Sequence, residues 1–420
     1  MSKIETLGTS GCAAPCLTWF AYKPVKLMPY LDSAYLYGND CIEPNAIISC
    51  DPISTGAQII KTNLAEVGLT YSIHYGFNFS DFSGDKLHDK RRSMTSHNLT
   101  ILSNLDIFRN NRTGDGLFLS IEFKTGNGFG YNEGKESAQK SIGSLTSPNQ
   151  VYEGPRAHFE NISLVYACLK GKLAISAGMV DNSLPIDRNS YANLHYTELI
   201  NNAFVNNICL PMSKGSMGFN VAWQPTKSFY MMVGTGSNNT PINHNPFKYM
   251  NMNAWTTVTE FGYVAEDMLG MGQGIYRLEP YWLTHQGKDG YGICCNFQQQ
   301  LGQHTDLGWF LRAGWADKTA SKVTGITASV STGLAWRSPF GETDRAANKS
   351  YMGLGFVWAK PSDHIKDVIN KNEYGVELSY VMQLTPTMTL QPDIQIIKDP
   401  IHGKKGQTNV VFQLQNYWHF

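Results

Sequence analysis

The 420-residue sequence predicts an all-β fold: a transmembrane antiparallel β-barrel of about sixteen strands, preceded by a short, partly helical extension. Three observations predict it. Apolar and polar residues alternate with period 2 in segment after segment. Connections alternate between short and long, as they do when turns gather on one rim of a barrel and loops on the other. The chain closes on such a strand, with Val410, Phe412, Leu414, Asn416, Trp418 and Phe420 on one face and Val411, Gln413, Gln415, Tyr417 and His419 on the other.

Composition agrees. Lys+Arg and Asp+Glu are both 34, so the formal net charge is zero, which weighs against a nucleic-acid partner. Charged residues make up 16% and mean hydropathy is still −0.27, so the polarity comes from neutral groups. No run approaches the ~18 apolar residues of a membrane helix. In hydrocarbon every backbone N–H and C=O must pair within the protein, and strands achieve this only in a closed barrel. Each strand then needs one apolar face and tolerates a neutral polar one.

The elements follow in order. Residues 1–55 form a cysteine-containing extension, expected in the periplasm or plugging the lumen, and residues 56–420 form the barrel. Helical periodicity is convincing only over 57–67. Strands are expected at 69–79, 97–109, 116–124, 157–168, 172–180, 216–224, 228–236 and 256–268. Eight more follow at 273–286, 290–301, 306–317, 325–337, 351–359, 373–384, 389–398 and 409–420. The first sets Leu69, Tyr71, Ile73, Tyr75, Phe77 and Phe79 against Thr70, Ser72, His74, Gly76 and Asn78. The twelfth sets Ile326, Ala328, Val330, Thr332, Leu334 and Trp336 against Thr327, Ser329, Ser331, Gly333 and Arg337. The fourth is mixed in pattern. Connections at 110–115, 169–171, 225–227 and 269–272 are short; those at 125–156, 181–215 and 237–255 are long. The rhythm weakens afterwards, at 287–289 and 338–350. An even strand number places both chain ends on the short-turn, periplasmic rim. Trp223, Trp309, Trp336 and Trp418 fall near that rim and Trp315 and Trp358 near the other, as two aromatic girdles require.

Alternation turns eight ionisable residues inward: Glu122, Lys124, Arg277, Glu279, Arg312, Glu373, Glu377 and Asp393. Both signs are present. A neutral polyol exchanges its water for such groups at little cost, whereas a ring of one sign would select ions. Arginine forks and carboxylates also suit sugar hydroxyls. These eight are therefore the candidate pore-lining and substrate-contacting residues. The competing reading is that they pair only with one another and line a wet, unselective pore. The basic segment 86–92 reads as a solvated loop before it reads as a lipid-headgroup site. Gly126-Asn-Gly-Phe-Gly130 lacks the Lys-Ser/Thr and helix of a phosphate loop, and no spacing marks a catalytic triad, so an enzyme is not expected. No cofactor or metal is expected either. Cys12-x3-Cys16 is loose for zinc and has no paired histidines to complete it.

Several segments resemble the carbohydrate-selective porins, the OprB-like family. Glu373-Tyr-Gly-Val-Glu-Leu-Ser-Tyr-Val-Met-Gln-Leu-Thr-Pro-Thr-Met-Thr-Leu-Gln-Pro-Asp-Ile-Gln is similar to that family's penultimate hairpin. Asn63-Leu-Ala-Glu-Val-Gly-Leu-Thr-Tyr resembles its entry into the first strand. Leu169-Lys-Gly-Lys-Leu-Ala-Ile-Ser-Ala-Gly-Met and Phe310-Leu-Arg-Ala-Gly-Trp-Ala add weaker matches in the right order. The resemblance runs from about residue 56 to 420. It implies a sixteen-stranded outer-membrane porin with a preference for small sugars, surrounded by outer-membrane lipid and lipopolysaccharide. Monomer and homo-oligomer both stay open. The chain starts without the apolar core of a signal peptide, so the expected form is one whose signal has been removed.

The eight cysteines depart from the family pattern. Cys12, Cys16, Cys41 and Cys50 lie in the extension and are candidates for disulfides, within the chain or to other envelope proteins. On composition alone they resemble the cross-linked envelopes of chlamydia-like bacteria. They support an alternative function, a structural or surface envelope protein, adhesin or antigen, with little or no transport.

Overall fold

Sixteen antiparallel strands close into one barrel in this computed structural model, each paired with its sequence neighbours and the first with the last. The structure describes residues 60–420 apart from 62, 66, 84–92, 111–112, 114, 130–137, 152–156, 242–243, 304, 338, 340–349 and 386. The expected extension 1–55, its four cysteines and the basic segment 86–92 lie outside the described residues. Residues 60–61 and 63–65 are helical, within the span that periodicity marks.

The strands are β1 (Leu69–Ser83), β2 (Ser93–Asn110), β3 (Asp115–Phe129), β4 (His158–Cys168), β5 (Leu173–Val180), β6 (Ser216–Trp223), β7 (Phe229–Ser237) and β8 (Trp255–Ala265). They continue with β9 (Gly274–His285), β10 (Lys288–Gln300), β11 (Leu307–Ala316), β12 (Ile326–Arg337), β13 (Tyr351–Pro361), β14 (Glu373–Thr385), β15 (Met388–Lys398) and β16 (Thr408–His419). Short helices α1 (Ala138–Ile142), α2 (Asn202–Val205) and α3 (Ala320–Thr324) sit in the loops. Among the described residues no helix is long and apolar enough to cross a membrane.

The barrel is inside-out relative to a water-soluble protein. On β16 Phe412 is 45% and Leu414 37% exposed, while Gln413 and Gln415 between them are fully buried. The same division runs along β14, where Tyr374, Val376 and Leu378 point out and Glu373, Glu377 and Ser379 point in. Trp223 and Trp336 are exposed at the turn rim and Trp315 at the loop rim. Outward side chains of this kind need lipid around them.

Departures from the expected pattern have local causes. The mixed fourth strand carries a bulge. Glu122 pairs with Asn161 and Phe123 with Phe159, so Glu160 is the extra residue, and Glu160 and Asn161 both point inward. A second bulge between Ile326 and Ala328 turns Ile326 inward, where the sequence pattern places it outward. Strand β3 continues to Phe129 because Gly126 lies against the β2 backbone, where a Cβ would meet the His97 carbonyl at 2.6 Å. The irregular connection between β9 and β10 is a two-residue hairpin. Gln286 and Gly287 both take positive φ, +52° and +73°, which matches the twist of the flanking strands.

The apolar core does not lie between two sheets. It lies between the barrel wall and two long loops that fold into the barrel. One cluster packs Ile186, Cys209 and Leu210 of the β5–β6 loop on Val258, Tyr281, Leu283 and Cys294 of the wall. Another packs Tyr191, Leu199, Ala203 and Phe204 of the same loop on Phe310, Ala335, Tyr351, Val357 and Val381.

Candidate functional site

The lumen is organised by residues 181–215, the β5–β6 loop, with residues 138–151 of the β3–β4 loop beside it. Glycines at inward strand positions receive the loop's bulky side chains. A Cβ on Gly355 would lie 2.6 Å from the Phe204 ring, and one on Gly76 2.7 Å from Tyr196. Phe204 packs edge-on against Phe310, and Tyr196 stacks on Tyr417 with ring centroids 4.6 Å apart.

Polar wall residues then fix the loop backbone. The Arg312 guanidinium is fully engaged. Its Nε donates to both Asp187 carboxylate oxygens at 3.0 and 3.1 Å, Nη2 to the Asp187 carbonyl at 2.9 Å, and Nη1 to the Ala192 and Phe204 carbonyls at 2.7 and 2.5 Å. Arg277 donates to the Tyr230 hydroxyl at 2.8 Å and Gln298 at 3.2 Å, and its Nε stands 3.6 Å from Glu260. Glu260 in turn accepts the Asp187 N–H at 2.8 Å. Glu279 lies within electrostatic reach of Asp187, Glu260 and Arg312. These residues form one cluster with both signs of charge, and Arg277, Glu279 and Arg312 are at most 1% exposed.

A second cluster lies on β14 and β15. Glu373 accepts from Leu145 N at 2.6 Å, Thr146 N at 2.9 Å and the Ser144 and Thr146 hydroxyls at 2.8 and 2.9 Å. Glu377 accepts from the N–H groups of Ile200 and Asn201. Asp393 accepts from Gln395 at 3.0 Å and Gln413 at 3.2 Å, and both amides also donate to the Pro148 carbonyl. Gln391 donates to the Glu198 carbonyl and Gln415 to the His195 carbonyl. Burial beside Lys124 and Lys214 pushes His195 down to about 3, so this loop imidazole is neutral at physiological pH.

The third cluster is Glu122 and Lys124 on β3. Lys124 Nζ is 3.2 Å from Glu122 and 2.7 Å from Glu160. Glu122, Glu160 and Asp181 bring carboxylate oxygens within 4.8 Å of one another, the group of described residues with the spacing to hold a cation. Lys124 already supplies a positive charge there. Burial raises the Asp181 carboxyl above its ordinary range, and Lys214 acts in the opposite direction. A cavity of about 290 Å³ opens beside this cluster, lined by His158, Glu160, Met179, Lys214 and His244 among others.

All eight sequence-predicted residues therefore sit on the inner side of their strands, in three separate groups. Seven of them are at most 2% exposed, and Lys124 keeps 14% of its side chain accessible. Sequence reasoning missed Asp187, Glu198, Glu160 and Glu260. Glu260 was within reach, since it continues the inward row of Thr256 and Val258. Glu160 is concealed by the bulge. Asp187 and Glu198 lie in a loop with no periodicity.

Residues 283–420 match the family model described as carbohydrate-selective porin, OprB family. Among solved structures the chain is similar to the high-pH structure of Pseudomonas putida OprB, with a TM-score of 0.68 at 16% identity, covering 87% of this chain and 97% of that one. The low-pH structure of the same protein gives a TM-score of 0.53 at 17% identity over 87% and 96%. The outer membrane channel DcaP of Acinetobacter baumannii gives 0.50 at 11% identity over 84% and 98%. At these identities the likeness establishes the fold. No curated protein matches the chain.

Proposed function

We propose that this chain is an outer-membrane porin of the carbohydrate-selective OprB kind, and that it conducts small neutral polyols, sugars foremost, through a passage shaped by its inserted loops. The observation that carries this reading is the way the inner charges are used. Arg312 is matched by Asp187, Arg337 by Glu198 at 2.7 Å, Arg277 by Glu260 and Lys124 by Glu122 and Glu160. The carboxylates without a cation beside them, Glu373, Glu377 and Asp393, are held by N–H and amide donors and are at most 2% exposed, so no single-sign ring is presented to select ions. Wall amides such as Gln298 and Gln391 are buried against the loop residues Ser190 and Glu198, so in this reading a solute meets the loops' own neutral amides and hydroxyls. These exchange hydrogen bonds with sugar hydroxyls almost as well as water does. In this reading Arg312, Glu373 and Glu377 act on passage by holding the loops, and Lys124 meets the solute.

Liposome swelling tests it. Reconstituted protein is expected to admit neutral monosaccharides faster than amino acids or salts of equal size. Equal rates for all solutes of one size would leave an unselective porin and overturn the sugar preference. The near-complete burial of the lumen-facing polar side chains favours a second reading, a filled barrel that serves mainly as an envelope structure. Absence of flux for every solute in the same experiment would establish that one.

A further inference from the structure

Four cysteines lie among the described residues: Cys168, Cys209, Cys294 and Cys295. The fold brings two of these free thiols against one wall position, with the Cys209 sulfur 3.2 Å from the Ser329 hydroxyl. Cys294 lies on β10 with its side chain inward, and Cys209 lies on the inserted β5–β6 loop. Their common neighbour is Gly314, directly opposite Cys294 on β11. A Cβ on Gly314 would lie 2.5 Å from the Cys209 Cβ and 2.8 Å from the Cys294 sulfur. Both cysteines belong to the same buried apolar cluster, at 0% and 2% exposure, and Tyr281 closes it by donating to the Cys209 carbonyl at 3.1 Å. Cys295 is excluded as a partner, because successive strand residues face opposite sides and Cys295 points toward lipid. Cys168 sits far off on the turn rim, at the end of β4.

We propose that Cys209 and Cys294 form a disulfide in the native envelope, and that this bond latches the inserted loop to the barrel wall. A protein bound for the outer membrane crosses an oxidising compartment, where paired thiols are converted. The chemistry is two exchanges with a disulfide donor, a dithiol oxidase or a small-molecule disulfide. The Cys209 thiolate attacks the donor and expels one donor thiolate. The Cys294 thiolate then attacks the Cys209 sulfur and expels the second. Two protons and two electrons pass from the cysteines to the donor, which leaves as two thiols. Burial pushes the Cys209 thiol up to about 12, so the seated loop is a poor nucleophile. The bond therefore forms before the loop seats, and the folded barrel then shields it from reductant.

The test is peptide mapping of the full chain, extracted from its own envelope with alkylating agent present, then unfolded and digested without reductant. The expected product is one linked species containing Cys209 and Cys294, lighter than the two thiol peptides by two hydrogens. Reductant added to the folded barrel should leave it intact, and reductant added after unfolding should split it. Recovery of both cysteines as alkylated thiols, or linkage of either to another cysteine, overturns the proposal.

Discussion

Replacing Arg312 with methionine is expected to open the passage without unfolding the barrel. Arg312 carries five hydrogen bonds into residues 187–204, and Asp187, its charged partner, is itself fully buried. Removing one member of a buried pair strands the other charge and costs about 3–5 kcal/mol. That cost falls on the loop, because the strand ladders of β11 with β10 and β12 need no side chain from Arg312. The loop then leaves its seat for part of the time. Single-channel conductance should rise and become noisy, and larger sugars should pass. Resistance to heat in detergent should fall little. Unchanged conductance would show that the loop held by Arg312 does not limit passage.

A second large effect is expected from steric displacement at Gly355. An added methyl there collides with the Phe204 ring, and overpacking of this kind costs about 1–3 kcal/mol. Phe204 cannot yield easily, since Phe310 packs against its ring and Arg312 holds its carbonyl. Gly355→Ala should therefore loosen the loop in the same direction as the Arg312 variant. Phe204→Leu combined with Gly355→Ala should recover part of the loss, giving a coupling that neighbouring residues show and distant ones do not. Protease cleavage within residues 181–215 is the readout. Strict additivity of the two changes would mean that the ring and the glycine do not share that space.

The barrel was legible in the sequence because lipid imposes one rule on every strand. Phe412, Leu414 and Val376 must point out, and Gln413 and Glu377 must point in. The rule fails where a bulge shifts the parity, at Glu160 and at Ile326. The same parity placed Arg277, Arg312, Glu373 and Glu377 on the inner wall. It could not say what they touch, because Asp187, Ala192 and Ile200 belong to a loop whose path no periodicity records. A partial signal was present. Gly355 and Gly76 sit at inward strand positions, and a glycine inside a strand often marks the close approach of another group. Cys294 takes its inward place from the alternation of β10, whereas the place of Cys209, a loop residue, depends on the whole fold.

A neutral solute is expected to enter the lumen and meet the inserted loop there. Current through single reconstituted channels, recorded while a neutral sugar is titrated, tests it most directly. Discrete openings are expected whose ion current falls in a saturable way as sugar is added, with the fall weakened in the Arg312→Met variant. Openings whose current falls only in proportion to bulk viscosity, with no saturation and no dependence on Arg312, would contradict it.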